Sequence, residues 1–399
     1  MPVDLGAILT EALGPDAPRR VGVALSGGGD SVALLHAART AGFAVEAATV
    51  DHGLRPESAA EAAAVGRACA ALGVPHTVLR WAEAPRGNVM DAARRARLRL
   101  IGAWARERGI GMVLLGHTAD DQAETFLMRI AREAGLEGLS GMRTRFAAEG
   151  VMWCRPLLGV ERGALRGWLR ERGIGWIDDP SNENARFGRV RARRAMAGLR
   201  PAGVTPAAVG AVTGHLAAAN AALERMLRDW AGPHVAVREA EIRIAAAPFA
   251  ALDPELRRRL VNAALIWVAC ADYPPRAAQL AGLLGQMRDA TLHGCRLRLS
   301  GGEIIIAREL RAVAGLRLPV GAVWDGWRTE GPAAEVAPLG AAIAQCPAWR
   351  EAGLSRAAVM ASPAIWRGES LLAAPFAGLP GGWKVHNLRG SFAFAGFRR

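Results

Sequence analysis

Residues Val21–Leu35, VGVALSGGGDSVALL, set an apolar run, three consecutive glycines and an amphipathic run side by side. The first run reads as a buried strand, the glycines as a tight turn, and the segment from Ser31 as a helix. Only a few folds join a buried strand so directly to a helix. The first half of the chain repeats the pattern. Val45–Val50, His76–Leu79 and Met112–Leu115 read as further strands, and Ser31–Ala41, Ser58–Leu72, Val89–Arg108 and Ala119–Ala134 as helices. Strand and helix alternating in this way predict an α/β domain with a parallel sheet covered on both faces. In such sheets the ligand lies beyond the carboxyl ends of the strands, so the informative residues should follow the strands directly.

From about Pro201 the texture changes. Val204–Trp230, Pro248–Ala269 and Pro275–Arg288 are Ala- and Leu-rich helical patterns, and His293–Glu309 reads as a hairpin turning at Ser-Gly-Gly. The remainder is rich in Gly, Pro and Trp with short strand-like runs. Three parts are expected: an α/β domain over 1–202, a helical domain over 203–290 and a small mixed, β-rich domain over 291–399.

A formal net charge of +13 and a pI near 11.1 predict a polyanionic partner, and nucleic acid fits best. Nearly all of this charge is arginine, since Lys384 is the single lysine. The five cysteines are scattered and form no CxxC pair, which argues against a disulfide framework or zinc ribbon and for a reducing cytoplasm. No signal peptide is visible, and the most apolar stretch, Leu260–Ala271, is too short to span a bilayer. No feature calls for an obligate protein partner.

Five segments carry chemistry. In the first, Gly27, Gly28 and Gly29 let the backbone approach an anion, and the hydroxyls of Ser26 and Ser31 with the helix N-terminus complete a phosphate cradle beside Asp30. The Walker spacing and its lysine are absent. Asp51 and His52 end the second strand, where a ribose or base would lie, although such a pair also serves as a loop cap. In the third, Asp120, Asp121 and Glu124 follow His117 on one helix face. Like charges so placed cost about 0.2–0.5 kcal/mol per pair, and a cation such as Mg²⁺ with ATP phosphates would relieve them. Arg94 and Arg97 share another helix face, a spacing that suits either a phosphate clamp or a solvated basic face. Finally Arg186, Arg189, Arg191, Arg193 and Arg194 cluster after the turn at Asp179–Asn182, which suggests RNA phosphates.

Taken together, SGGGDS, VDHGLR, the Ala-Arg-x-Ala-Arg run, GHxxDDQAET, GLSGM, RPLL and W-I-x-D-P-S-N closely resemble the tRNA(Ile)-lysidine synthetase family, in order, over Val21–Met196. The resemblance implies a Rossmann-like PP-loop fold and ATP cleaved between its α- and β-phosphates. A cytidine 2-oxygen of tRNA(Ile) with a CAU anticodon would be adenylated, and free L-lysine would then displace AMP. It implies that Ser26–Ser31, with Asp51 and His52, hold ATP. Asp30, Asp121 and Glu124 would be the acidic catalytic group, with Mg²⁺ on Asp121 and Glu124. Arg97 and His117 would contact phosphate or the reacting centre, and Arg189 and Arg193 the RNA. Thr118, Leu98 and Val190 depart from common family residues.

Two alternatives stay open on the residues alone. A PP-loop thiolase would need a reactive thiol or cluster, and Cys69 and Cys154 lie away from the motifs. A non-catalytic RNA-binding protein would have no need of the full acidic set.

Overall fold

The computed structural model describes residues 3–53, 57–82, 89–178 and 188–392. The Asp179–Asn182 turn, Arg186 and parts of the Asp51–Ser58 and Gly87–Leu100 segments lie outside them. The chain forms two compact units, one up to Asn220 and one from Ala221.

The first unit is built on strands β1 (Arg20–Ala24), β2 (Ala44–Asp51), β3 (His76–Arg80), β4 (Met112–Leu115), β5 (Arg145–Ala148) and β6 (Val151–Cys154). Their order is β3-β2-β1-β4-β6-β5, with β5 alone antiparallel. Helices α1 (Leu5–Leu13), α2 (Gly29–Thr40), α3 (Ser58–Ala71), α4 (Val89–Glu107), α5 (Ala119–Ile130), α6 (Leu136–Leu139), α7 (Arg162–Glu171) and α8 (Gly188–Leu199) complete it.

The period-2 geometry of β1 explains its uninterrupted apolar character. Val21 and Val23 face a core shared with Leu9, Leu34 and Trp168, while Gly22 turns to the other face. A Cβ on Gly22 would come within 3.0 Å of the Trp104 ring, so glycine there is what lets the indole lie against the strand. Strand β4 divides likewise, with Met112 and Leu114 on one face and Val113 and Leu115 on the other. Each such side chain, fully buried, stabilises the fold by about 1.5–3 kcal/mol. The β5–β6 hairpin has no counterpart in the sequence reading. Glu149 and Gly150 form its tight turn with φ of 53° and 73°, and Trp153 fills the core below it.

The unit boundary falls within α9 (Pro206–His234), and β7 (Val235–Arg238) and β8 (Glu241–Ala245) follow it. They join β9 (Ala290–Leu292), β10 (Cys295–Ser300) and β11 (Glu303–Arg308) in an antiparallel sheet ordered β7-β8-β11-β10-β9. One sheet thus draws strands from both sides of position 290, where the sequence suggested only helices before it. The β10–β11 hairpin turns at Gly301 and Gly302, as expected. The helix expected over Pro248–Ala269 is broken. Pro254 opens a new helix, and Asp253 caps it by accepting from the Glu255 amide at 2.8 Å. The last third holds a four-stranded and a three-stranded sheet, with Trp324 and Trp327 buried. Among the described residues no single helix is long and apolar enough to cross a membrane.

Candidate active site

The strand order reverses between β1 and β4, and parallel sheets open a crevice at such a point. Two loops meet there: Leu25–Gly28 after β1, and Gly116–Thr118 after β4. A Cβ on Gly116 would lie 3.1 Å from the backbone of Asp30 and Ser31, so glycine there lets the second loop close tightly on the first turn of α2.

The glycine loop is internally braced. Ser31 Oγ donates to the Gly28 carbonyl at 2.9 Å and accepts from the Ser26 amide at 3.2 Å, with Ser26 Oγ 3.1 Å away. Gly27 has φ of 84°, and a Cβ there would meet Val65 and Ile177. The Ile177 amide donates to the Gly27 carbonyl at 2.9 Å, and Trp176 packs beside Gly29. The Trp-Ile pair of the W-I-x-D-P-S-N motif therefore roofs the loop on one side. Ser31 shapes the cradle, and Asp30 stands in the first turn of α2.

Asp30, Asp121 and Glu124 do converge, and a residue the sequence reading passed over joins them. Arg162, at the start of α7, donates from Nε to Asp30 Oδ2 (3.1 Å), from Nη2 to Asp121 Oδ1 (3.1 Å) and from Nη1 to Glu124 Oε1 (3.3 Å). Repulsion among the acids is thus relieved by a guanidinium of the protein itself. Burial pushes the Asp30 carboxyl above its ordinary value in spite of Arg162. Burial acts on Asp121 too, but Arg162, Arg189 and the Thr118 amide outweigh it and hold that carboxyl below its usual range. Thr118 and Asp121 form a capping box, with the Thr118 amide donating to Asp121 Oδ2 at 2.9 Å. Arg193 donates to Glu124 Oε1 at 2.8 Å, so one of the arginines expected on RNA is turned onto the acidic group.

His117 lies within electrostatic reach of Asp121, and Arg97 within reach of His52 and Arg189. His117 Nδ1 accepts from Nε of Arg155, a buried side chain, at 3.2 Å. Burial, then Arg155, lower the imidazole pKa to about 3. Arg97 Nη2 lies 3.3 Å from His52 Nε2, and burial with Arg97 lowers His52 to about 4. The charge of Arg189 acts on Arg97, His117 and Asp121 together. Asp51 takes the cap-like arrangement: Oδ1 accepts from the Gly53 amide (3.0 Å) and the Ser58 hydroxyl (2.7 Å). Arg155 stood in the RPLL motif and Arg162 four residues beyond it, but no helical spacing links them to the acids. Contact made through tertiary folding leaves no local period to read. Cys69 and Cys154 are buried in the core that packs on the sheet, their thiols pushed up by burial.

A parallel sheet with a braced glycine loop and an acidic group at its switch point defines a nucleotide-using enzyme of the PP-loop class. The family model described as PP-loop domain matches residues 3–199. The tRNA(Ile)-lysidine synthase of Ruegeria pomeroyi is 44% identical over 379 residues, covering 92% of this chain and 90% of that protein. The enzyme of the same name from Hyphomonas neptunium is 42% identical over 323 residues, covering 76% and 84%. That from Methylobacterium nodulans is 38% identical over 326 residues, covering 76% and 94%. The chain belongs to the tRNA(Ile)-lysidine synthase family.

Proposed function

We propose that this enzyme uses ATP to adenylate the 2-oxygen of the wobble cytidine in tRNA(Ile) with a CAU anticodon, and that free L-lysine then displaces AMP to give lysidine. The observation that carries the reading is the meeting of Asp30 with Asp121 and Glu124 at the β1–β4 crevice, beside the braced glycine loop.

The 2-oxygen of cytidine is a poor leaving group until it carries AMP, so adenylation comes first and pyrophosphate leaves. Ser26–Ser31 receive the phosphates at the α2 N-terminus. Arg97 and His117 balance negative charge that develops at the α-phosphate. Lysine attacks as the free amine, so its proton passes to an acid of this group or to solvent. Lys384, the single lysine of the chain, lies outside the motif region of the sequence.

A divalent cation fits the donor set. Asp30 Oδ1 and Glu124 Oε2 are buried without a hydrogen-bond partner, whereas both oxygens of Asp121 are engaged. Among the described residues no three His, Cys, Asp or Glu side chains are grouped as a metal site. Mg²⁺ needs only one or two carboxylates when substrate phosphates and water complete its shell. We therefore assign it to Glu124 with Asp30, and Asp121 to an orienting role. Bound there, it would neutralise pyrophosphate charge.

The region over 203–399, which lacks a comparable acidic group in the sequence, we assign to gripping the tRNA body, and the reaction to the cytoplasm. Incubation with labelled lysine, ATP and unmodified tRNA(Ile), followed by nucleoside analysis, tests the reading. Labelled lysidine is the expected product. ATP-dependent modification without lysine incorporation would overturn it.

A further inference from the structure

Arg155 is 2% exposed, and its guanidinium is held by three contacts. It lies over the Phe146 ring at 4.2 Å from the centroid, and Nη1 donates to the Arg143 carbonyl at 2.7 Å. Its Nε–H donates to His117 Nδ1 at 3.2 Å. Among the described residues its partners are an aromatic face, a carbonyl and an imidazole nitrogen, and none is a carboxylate. A buried cation without a carboxylate is costly, and proteins retain one mainly where it acts on a neighbour.

That neighbour is constrained by simple donor counting. Arginine has five N–H donors and no acceptor, so the bond to His117 requires a bare Nδ1. A neutral imidazole carries one proton, which must then sit on Nε2. Among the described residues Nε2 of His117 has no protein partner. Resting on the reading of His117 as a contact to the reacting phosphate, we propose that Arg155 is a positioning residue that locks His117 as a neutral Nε2–H donor. His117 then gives a hydrogen bond to an anionic oxygen of the nucleotide and cannot act as a proton acceptor through Nδ1.

The surroundings favour the same state. Arg155 reaches the imidazole from the end of β6, Arg94 from α4 and Arg189 from α8, and only Asp121 of α5 opposes them. Three positive charges against one negative disfavour the imidazolium. The sequence signal was the arginine of RPLL, which gave no hint of a histidine 38 positions earlier.

The test is the ring-¹⁵N spectrum of the full-length enzyme labelled at histidine, with the His117 signals among the eight histidines assigned through His117→Gln. Wild type should show Nδ1 bare and Nε2 protonated at neutral pH, with no titration as pH is lowered to about 5, well below the ordinary histidine value of about 6.5. Arg155→Met should allow the Nδ1–H tautomer and raise the titration toward that ordinary value. Its ATP–pyrophosphate exchange should fall by at least about tenfold, as for other residues that orient a reacting histidine. Arg155→Lys, which keeps a cation but not the fixed N–H, should lose the single tautomer as well. An Nδ1–H tautomer or an imidazolium in wild type would overturn the proposal, with no variant needed. An unchanged tautomer in a folded Arg155→Met would overturn it too. Wild-type exchange by His117→Gln would instead overturn the assigned role of His117 in adenylation, and the tautomer result separates the two failures.

Discussion

Asp120 Oδ2 accepts the backbone N–H of Arg162 at 2.7 Å, and this bond sets where the acidic group meets its counter-charge. Asp120 shares a helix face with Glu124 in sequence, yet its carboxylate satisfies the first turn of α7. An anion at a helix N-terminus meets both an unpaired N–H and the positive end of the helix dipole. Anchored there, Arg162 reaches Asp30, Asp121 and Glu124 with three different nitrogens.

Replacing Arg162 should therefore damage the site through charge left unpaired. Arg162→Met should cost about 3–5 kcal/mol of stability at pH 8, as expected when one partner of a buried ion pair is removed. The deficit should shrink at pH 5, where the orphaned carboxyls protonate more readily. Urea unfolding at the two pH values measures this. Asp120→Ala should cost about 0.5–2 kcal/mol and Asp120→Asn much less, because asparagine keeps the capping oxygen.

Asp30→Asn, Asp121→Asn and Glu124→Gln should each lower ATP–pyrophosphate exchange by at least about a hundredfold, the usual loss when an oriented polar group at a reacting centre is removed. Exchange assays with circular dichroism as a fold control decide it. Wild-type lysidine yield from any of the three would contradict the assignment.

Acid should destabilise the protein through two imidazoles. The unfolded chain protonates His52 and His117 below about pH 6.5. The folded chain keeps them neutral down to about 4 and about 3. Their stabilising contribution is thus complete above pH 6.5 and is lost as pH falls, by up to about 1.4 kcal/mol per pH unit for each ring. Asp30, with its raised pKa, acts in the opposite sense at the acid end. Thermal melts from pH 8 to 4 should show a shallower acid limb for His52→Gln and His117→Gln than for wild type.

Gly116→Ala should push the loop after β4 away from the first turn of α2. The new methyl group would stand 3.1 Å from the Asp30 and Ser31 backbone, which has no side chain to move aside. Overpacking of this kind costs about 1–3 kcal/mol. The melting temperature should drop, and ATP affinity should fall more than tRNA affinity. Equal ATP binding by titration calorimetry would rule out a role for loop contact.

Binding of tRNA should weaken linearly in log Kd against log salt, because a chain of net charge +13 displaces counterions from phosphate. A flat dependence would be the adverse result. Arg193 is a poor site for charge reversal, since an acid there would face Glu124. Arg193→Gln should reduce pyrophosphate exchange more than tRNA affinity, as its nitrogen is held by the acidic group.

Strands β1 to β4 of the sheet were legible in the sequence because both their signals are local. Val21, Val23, Val113 and Leu114 form unbroken apolar runs since both faces of a parallel strand are buried, and Gly27–Gly29 mark the turn that follows. From that sheet alone, the positions of Asp30, His117, Asp121 and Glu124 after two strands were readable. What neutralises those acids was not. Arg162 meets Asp30 across 132 positions of chain and Arg155 meets His117 across 38, and no helical or strand period spans such separations. A charged side chain in a sequence carries no mark of which charge it will face. That is decided when α7 and the β5–β6 hairpin pack against the crevice, where burial makes an unpaired charge too costly to leave and fixes each guanidinium on its partner.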